Sequence, residues 1–197
     1  MAKVLLAIPT GKGFIWADAS DALYGLNRGQ NDVVQATKSF YAVDEARNAL
    51  VRFALKNDFD YVFFVDDDTI VPPDALLNLM ENNVDVCLGY YIKSDSDNLT
   101  PMVEPRGNNY RTYYSVEEIE EMRKDGQTLV EIGGGGFGCA LIKVSALKIL
   151  TDPWFKFNKH LSEDYYFCHQ WKSIRGKIYL DTRVACDHIK LERKKAM

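Results

Sequence analysis

The sequence has no apolar run near the ~18–20 residues that a membrane-spanning helix needs, which argues against an integral membrane protein. Cysteines are few: Cys87, Cys139, Cys168 and Cys186, with no C-x-x-C pair, so neither a disulfide framework nor a zinc site is expected. Each lies in an apolar or mixed segment such as Val86-Cys87-Leu88, the setting of a buried free thiol in a reducing cytoplasm. There is no basic surplus either. The 24 Lys and Arg against 28 Asp and Glu give a net charge of −4, which excludes a generic DNA-coating protein. With 47% hydrophobic and 26% charged residues, the chain is neither disordered nor collagenous. It shows no internal repeat and no linker. The run Met1 to Pro9 carries one charge, is too short for a secretory signal, and reads as a first strand. The glycine run Gly133 to Gly138 lacks a following Gly-Lys-Ser/Thr, which excludes a P-loop.

What the chain does have is aromatics: 11 Tyr, 10 Phe and 3 Trp, enough for a lined cleft as well as a core. Its 197 residues suit one domain. Val4 to Ile8, ended by Pro9-Thr10-Gly11, reads as a strand and turn. Ala19, Leu23 and Leu26 predict a helix over 17–29, stopped near Gly29. Val33-Val34 and Phe40-Tyr41 mark a second strand and its loop. Asp44 is expected to cap a helix with Ala46, Leu50, Phe53 and Ala54 on its apolar face. Arg47, Asn48 and Arg52 interrupt that pattern, and spacing alone puts Arg47 on a solvated face.

Tyr61 to Val65 suits a central strand buried on both faces. Pro72-Pro73-Asp74 opens a helix over Ala75 to Glu81, and Val84 to Tyr90 is a further strand. Alternating strands and helices predict a doubly wound α/β sheet. Residues 93–115 are polar and rich in turn formers, fitting short strands or a loop. Beyond them come a charged helix over Val116 to Lys124, strand-like Leu129 to Ile132 and Ala140 to Ile142, a helix over Ser162 to Trp171, and a last strand over Lys177 to Leu180.

Three adjacent aspartates, Asp66-Asp67-Asp68, end the most apolar strand. Like charges this close repel unless something positive sits beside them. Open α/β sheets bind ligands at the carboxyl ends of their strands. Alternation sends Asp66 and Asp68 one way and Asp67 the other. Two convergent carboxylates suit Mg²⁺ or Mn²⁺ shared with phosphate oxygens. The bland alternative is a loop that caps the next helix, for which Asp74 already suffices. Ser162-Glu163-Asp164 is, by itself, a common helix-capping pattern. Four consecutive glycines carry an entropic cost and point to close backbone approach.

The phrase Phe63-Phe64-Val65-Asp66-Asp67-Asp68-Thr69-Ile70, followed by Pro72-Pro73, resembles the D-x-D motif of nucleotide-sugar glycosyltransferases with the GT-A fold, particularly the family-two-like inverting enzymes. Ala7-Ile8-Pro9-Thr10 resembles their first strand and turn, Glu45-Ala46-Arg47-Asn48 their A-R-N segment, and Ser162 to Cys168 their E-D-x-x-F segment. The resemblance implies a single GT-A (Rossmann-like) domain with a central, mostly parallel sheet flanked by helices. Residues 1–92 would form the nucleotide-binding half, 93–190 the acceptor and catalytic half, and 191–197 a basic tail. It implies that Asp66 lies near the donor ribose and the metal, and that Asp68 binds the metal, Mn²⁺ or Mg²⁺, which bridges the diphosphate. Asp67 belongs with the donor-binding residues but has no counterpart in the motif. His188, in Cys186-Asp187-His188-Ile189, would follow the last strand and complete the metal site. Pro9, Thr10 and Arg47 would lie by the nucleotide, Gly135 and Gly136 under the sugar donor, and Phe137 against the sugar. Asp164 would be the general base that takes the acceptor proton, supported by Glu163.

The implied partners are a nucleoside-diphosphate sugar (UDP- or GDP-linked) and a glycan, lipid or protein acceptor, with no nucleic acid, no membrane span and a homo-oligomer left open. The implied compartment is the cytoplasm. Tyr110, Tyr113 and Tyr114 are candidates for reading the acceptor, and Trp171 for the cleft. Some features depart from the family. Gly11-Lys12-Gly13 replaces the usual turn, Asp32 is a weak substitute for the acidic base contact, and the Q-x-x-R-W of processive synthases is absent. These favour transfer of one sugar over polymerisation. A sugar-1-phosphate nucleotidyltransferase, or a non-catalytic nucleotide-sugar or glycan-binding domain, is the alternative. A haloacid dehalogenase-type phosphatase fits poorly, because Ile70 stands where its motif wants Thr or Val.

Overall fold

The computed structural model describes residues 1–40, 42–95, 98–107 and 113–189; Tyr41, Tyr110 and the basic tail at 191–197 lie outside them. The first half runs β1 (Lys3–Thr10), α1 (Ala17–Tyr24), β2 (Asp32–Ser39), α2 (Val43–Lys56), β3 (Tyr61–Val65), β4 (Thr69–Ile70), α3 (Ala75–Glu81) and β5 (Val86–Asp95). The second half adds β6 (Asn98–Pro101), β7 (Val103–Pro105), α4 (Val116–Lys124), β8 (Leu129–Gly135), β9 (Cys139–Lys143), α5 (Val144–Leu147), α6 (Glu163–Ser173) and β10 (Ile178–His188).

Apolar residues on both faces of β1 and β3 suit strands in the interior of the sheet. Leu5, Ala7 and Phe64 enter one core with Leu50 of α2 and Phe167 of α6; Leu6, Ile8, Phe63 and Val65 enter the other with Leu23 of α1 and Leu76 of α3. This period-two division requires helices on both faces. The strand order is β2-β1-β3-β9-β5-β10-β8-β7. Six of these eight strands run in one direction, and β9 and β8 run against them. The expected single Rossmann-like, mostly parallel sheet flanked by helices is present. The simple doubly wound pattern ends where β9 slots antiparallel between β3 and β5. Among the described residues no helix is long and apolar enough to cross a membrane.

Local expectations fail where tertiary contacts win. Asp44 does not cap α2: Ala42 holds the cap position, and the Asp44 carboxylate accepts from the amides of Glu45 (3.0 Å) and Phe157 (3.2 Å). The polar segment after residue 93 contains β6, folded back on β5, and β7, paired with β8. The glycine run is not an open turn. Gly133 to Gly135 lie in β8, and a Cβ on Gly133 would come within 2.6 Å of the Pro105 carbonyl on β7. Trp171 is core: its ring packs against Gly176 and its Nε1 donates to the Lys177 carbonyl at 2.9 Å. Asp32 pairs with Lys3 at the start of β1, at the pole away from the aspartates. The four cysteines are free and buried.

Candidate active site

β1, β3 and β10 all deliver their carboxyl ends to one pole. Thr10, Asp66–Asp68 and His188 meet there with Tyr91 of β5. The start of β9 is there too, because Val65 is level with Cys139 and the Asp66 amide donates to the Gly138 carbonyl (3.1 Å). His188 does not follow the last strand; it is the last residue of β10. That strand outruns the expected Lys177–Leu180 because its end pairs antiparallel with β4, His188 level with Thr69, and the Ile189 amide donates to the Asp68 carbonyl at 2.9 Å.

Arg47 is only 2% exposed, which overturns the solvated-face expectation. Its Nη2 donates to Asp66 Oδ1 at 2.8 Å and its Nε to Glu163 Oε1 at 3.1 Å. The guanidinium also lies over the rings of Phe64 and Phe155. The expected direct contact with the nucleotide is therefore corrected: Arg47 lies behind two carboxylates and fixes them, joining the aspartate turn to the start of α6. Phe137 is corrected as well. Its ring is wholly buried, edge-on to Phe155 and Phe167, and only its carbonyl faces Arg47, at 3.4 Å.

The three aspartates lie in a turn beyond the end of β3, closed by the Thr69 amide on the Asp66 carbonyl (3.2 Å), so strand alternation does not continue through them and Asp66 and Asp68 do not converge. Asp66 turns to Arg47 and Asp68 to His188, while Asp67 is buried beside Thr10 and Lys12. Pro9 and Thr10 are buried at the end of β1. The Thr10 hydroxyl accepts from the amides of Lys12 (3.2 Å) and Gly13 (3.0 Å) and so shapes the exposed turn that follows. At α6, Ser162 occupies the cap position without capping. Its hydroxyl instead donates to Asp164 Oδ1, which also accepts from the Tyr165 amide at 2.7 Å. Asp164 Oδ2 has no hydrogen-bond partner among the described residues.

Negative charge is in excess here. Burial pushes the Asp66 pKa up to about 7 despite Arg47, with Glu163, Asp68 and Asp164 adding to the rise. Burial, then Glu163, also raises Asp164. Burial opposes the charge on Arg47, yet Asp66, Glu163 and Asp164 together hold its pKa above the ordinary value.

The expected ligand set Asp66, Asp68 and His188 does not assemble. Among the described residues no three His, Cys, Asp or Glu side chains converge as metal ligands, because Asp66 is turned onto Arg47. Asp68 and His188 do meet, with Oδ1 and Nε2 3.5 Å apart. A carboxylate and an imidazole, completed by phosphate oxygens and water, fit Mg²⁺ or Mn²⁺. The excess of carboxylates, four (Asp66, Asp68, Glu163 and Asp164) against the one guanidinium of Arg47, is what a dication would offset.

Solved structures match this architecture, and two of them are informative. The crystal structure of A197 from STIV has a TM-score of 0.68 at 20% identity, covering 98% of this chain and 88% of that one. The crystal structure of GalNAc-T7 with UDP, GalNAc and Mn²⁺ has a TM-score of 0.56 at 12% identity. The fold is GT-A-like. At these identities the likeness shows the fold alone. It covers 98% of this chain and 44% of GalNAc-T7, so the chain spans less than half the length of that protein. No family model and no curated protein matches the sequence.

Sequence reasoning missed Tyr91. Its ring stacks on His188 with centroids 5.5 Å apart, and burial, then Asp66, raises its pKa well above the ordinary value. The available signal was an aromatic residue just past the expected strand end at Tyr90. Gly136 makes room for Tyr91: a Cβ there would lie 2.2 Å from the phenol oxygen. Gly136→Ala should therefore displace Tyr91 and cost ~1–3 kcal/mol, read as a lower denaturation midpoint. Unchanged stability would mean that Tyr91 swings away freely.

Proposed function

We propose that the protein is an inverting, metal-dependent glycosyltransferase that moves one sugar from a nucleoside-diphosphate sugar (UDP- or GDP-linked) to an acceptor hydroxyl. The observation that carries this reading is the Asp66–Arg47–Glu163 bridge, which ties the aspartate turn to the start of α6, beside Asp164. The UDP, GalNAc and Mn²⁺ held by GalNAc-T7 on a similar fold support it.

Asp68 and His188 hold the ion in this reading, and Asp66 and Glu163 are oriented by Arg47. A bound Mn²⁺ or Mg²⁺ neutralises charge that develops on the leaving diphosphate. Pro9, Thr10 and Asp67 frame the nucleotide side, and the backbone at Gly135 and Gly136 floors the donor site beside Tyr91. Residues 1–92 supply most of the nucleotide side and the later chain the acceptor side. Asp164 Oδ2 takes the acceptor proton while Ser162 and the Tyr165 amide fix Oδ1. The acceptor oxygen bonds to the anomeric carbon as the bond to the diphosphate breaks, and the electron pair leaves with the nucleoside diphosphate. A single displacement of this kind inverts the anomeric centre.

Asp68→Ala should weaken Mn²⁺-dependent binding of the nucleotide sugar by at least ~100-fold, beyond the roughly 10–100-fold that outer-shell partners cost. Calorimetry with and without Mn²⁺ measures it. Binding unaffected by the substitution would remove Asp68 from the metal site.

A further inference from the structure

The two ends of the sheet are built differently. At one end β7 has three residues and finishes on Pro105, which has no N–H to offer. Short strands and proline are the ordinary means of blunting a sheet edge. At the other end β2 has eight residues without a proline, and its register with β1 is unbroken from Asp32 to Ser39. Among the described residues no strand pairs with its outer side.

In a parallel pair, alternate residues turn their backbone groups to the neighbour and the others turn them away. The Asp32 amide donates to the Ala2 carbonyl (3.0 Å) and the Phe40 amide to the Thr10 carbonyl (3.2 Å), which assigns the even-numbered residues to β1. Val33, Gln35, Thr37 and Ser39 therefore direct N–H and C=O outward. Gln35, Thr37 and Ser39 are exposed, and Val34, at 38% exposure, is one of the more exposed large apolar side chains.

The side chains of this edge complement one another. In an antiparallel pairing of two copies centred on Gln35, Val33 faces Thr37, Val34 faces Ala36, and Asp32 faces Lys38, at both ends of the pairing. The outward residues then meet outward residues, as bonding requires. Neither the Asp32 nor the Lys38 side chain has a partner among the described residues. Moving the axis by one residue sets Lys38 against Val34 in one direction and Asp32 against Ala36 in the other, so the charges match in one register.

We propose that the outer edge of β2 is a homodimer interface, in which two copies pair antiparallel about a twofold axis at Gln35 and join their sheets. Main-chain bonds run between the two Gln35 residues and, on either side of the axis, between Val33 and Thr37. Lys38 repels an arbitrary strand from this edge and is answered by Asp32 of a second copy. Because β2 runs parallel to β1 towards the aspartate pole, the two poles point to opposite ends of the joined sheet and both sites stay open. The inference does not depend on the transferase reading.

The test is sedimentation velocity on the full chain across a micromolar concentration series. The wild-type chain should dimerise. Asp32→Lys and Lys38→Asp should each weaken the dimer at least ~10-fold, because each sets like charges together at both ends of the edge. An equimolar mixture of these two variants should associate as tightly as wild type, since every end then joins opposite charges. The chain carrying both substitutions should do the same. A fold defect would not be repaired by mixing. Amide hydrogen exchange gives a second readout: dimerisation should protect Val33, Gln35 and Thr37, while Val34, Ala36 and Lys38, already bonded to β1, change little. A wild-type chain that stays monomeric overturns the proposal. So does a dimer that persists in both single variants, a mixture that stays monomeric, or protection that appears elsewhere in place of β2.

Discussion

Asp164→Asn is expected to slow sugar transfer by about 10²–10⁴-fold, the range for loss of a general base, with nucleotide binding unaltered. Asparagine keeps the shape, and its carbonyl still accepts from Ser162 and the Tyr165 amide, as Oδ1 does now. What it lacks is a basic oxygen. The pH profile supplies a second readout. Burial, then Glu163, raises the Asp164 pKa, so the acid limb of kcat should lie above the ordinary carboxylate range. Transfer should fall as pH drops through that limb, because protonated Asp164 is no longer a base. Asp164→Asn should lack the limb. Glu163→Gln should move it to lower pH, since removing the neighbouring charge relieves part of the rise. A rate near wild type in Asp164→Asn would assign the base elsewhere.

Arg47→Met should give the largest loss of stability, about 3–5 kcal/mol, the cost of breaking a buried ion pair by removing one partner. Arg47 is almost fully buried, and both Asp66 and Glu163 depend on it. Methionine restores much of the volume against Phe64 and Phe155 but leaves two carboxylates facing each other uncompensated. Arg47→Lys should recover only part, because an ammonium does not reproduce the fork that reaches both carboxylates. Asp66→Asn with Glu163→Gln in the Arg47→Met background should restore stability while leaving activity lost. Urea unfolding with an unchanged slope measures each step. A loss within the ~0–1 kcal/mol of a surface pair would show that Arg47 is not the clamp.

The contrast between Arg47 and the aspartates shows what a sequence exposes. The aspartate turn was legible because a buried apolar strand ending in three like charges needs a ligand or a counter-ion, but the directions of its side chains were not, because the strand stops at Val65 and the turn, not alternation, sets them. Helices α3 and α4 were legible to the residue because their signals are local, although Asp74 holds the cap position of α3 without capping it and its carboxylate accepts from Asn27 at 2.9 Å instead. Arg47 was not: a charged residue on an amphipathic helix has the same local pattern whether it meets water or carboxylates contributed by distant segments. Glu163 lies 116 positions away. The glycine run and β10 misled for a related reason. Gly133 is set by Pro105 on a neighbouring strand. β10 continues through polar Asp181, Thr182 and Arg183 because Asp181, itself wholly buried, is satisfied by Asn82 and Arg183. The family resemblance implies Phe137 against the sugar, but the company of Phe155 and Phe167 decides where its ring goes.

The most direct measurement is the release of nucleoside diphosphate from a panel of UDP- and GDP-sugars, with Mn²⁺ and with EDTA, followed by NMR of the anomeric configuration of the product. The account predicts release that requires the cation, and a product of configuration opposite to the donor. Pyrophosphate formed from a nucleoside triphosphate and a sugar phosphate, cation-independent release, or a retained configuration would contradict it.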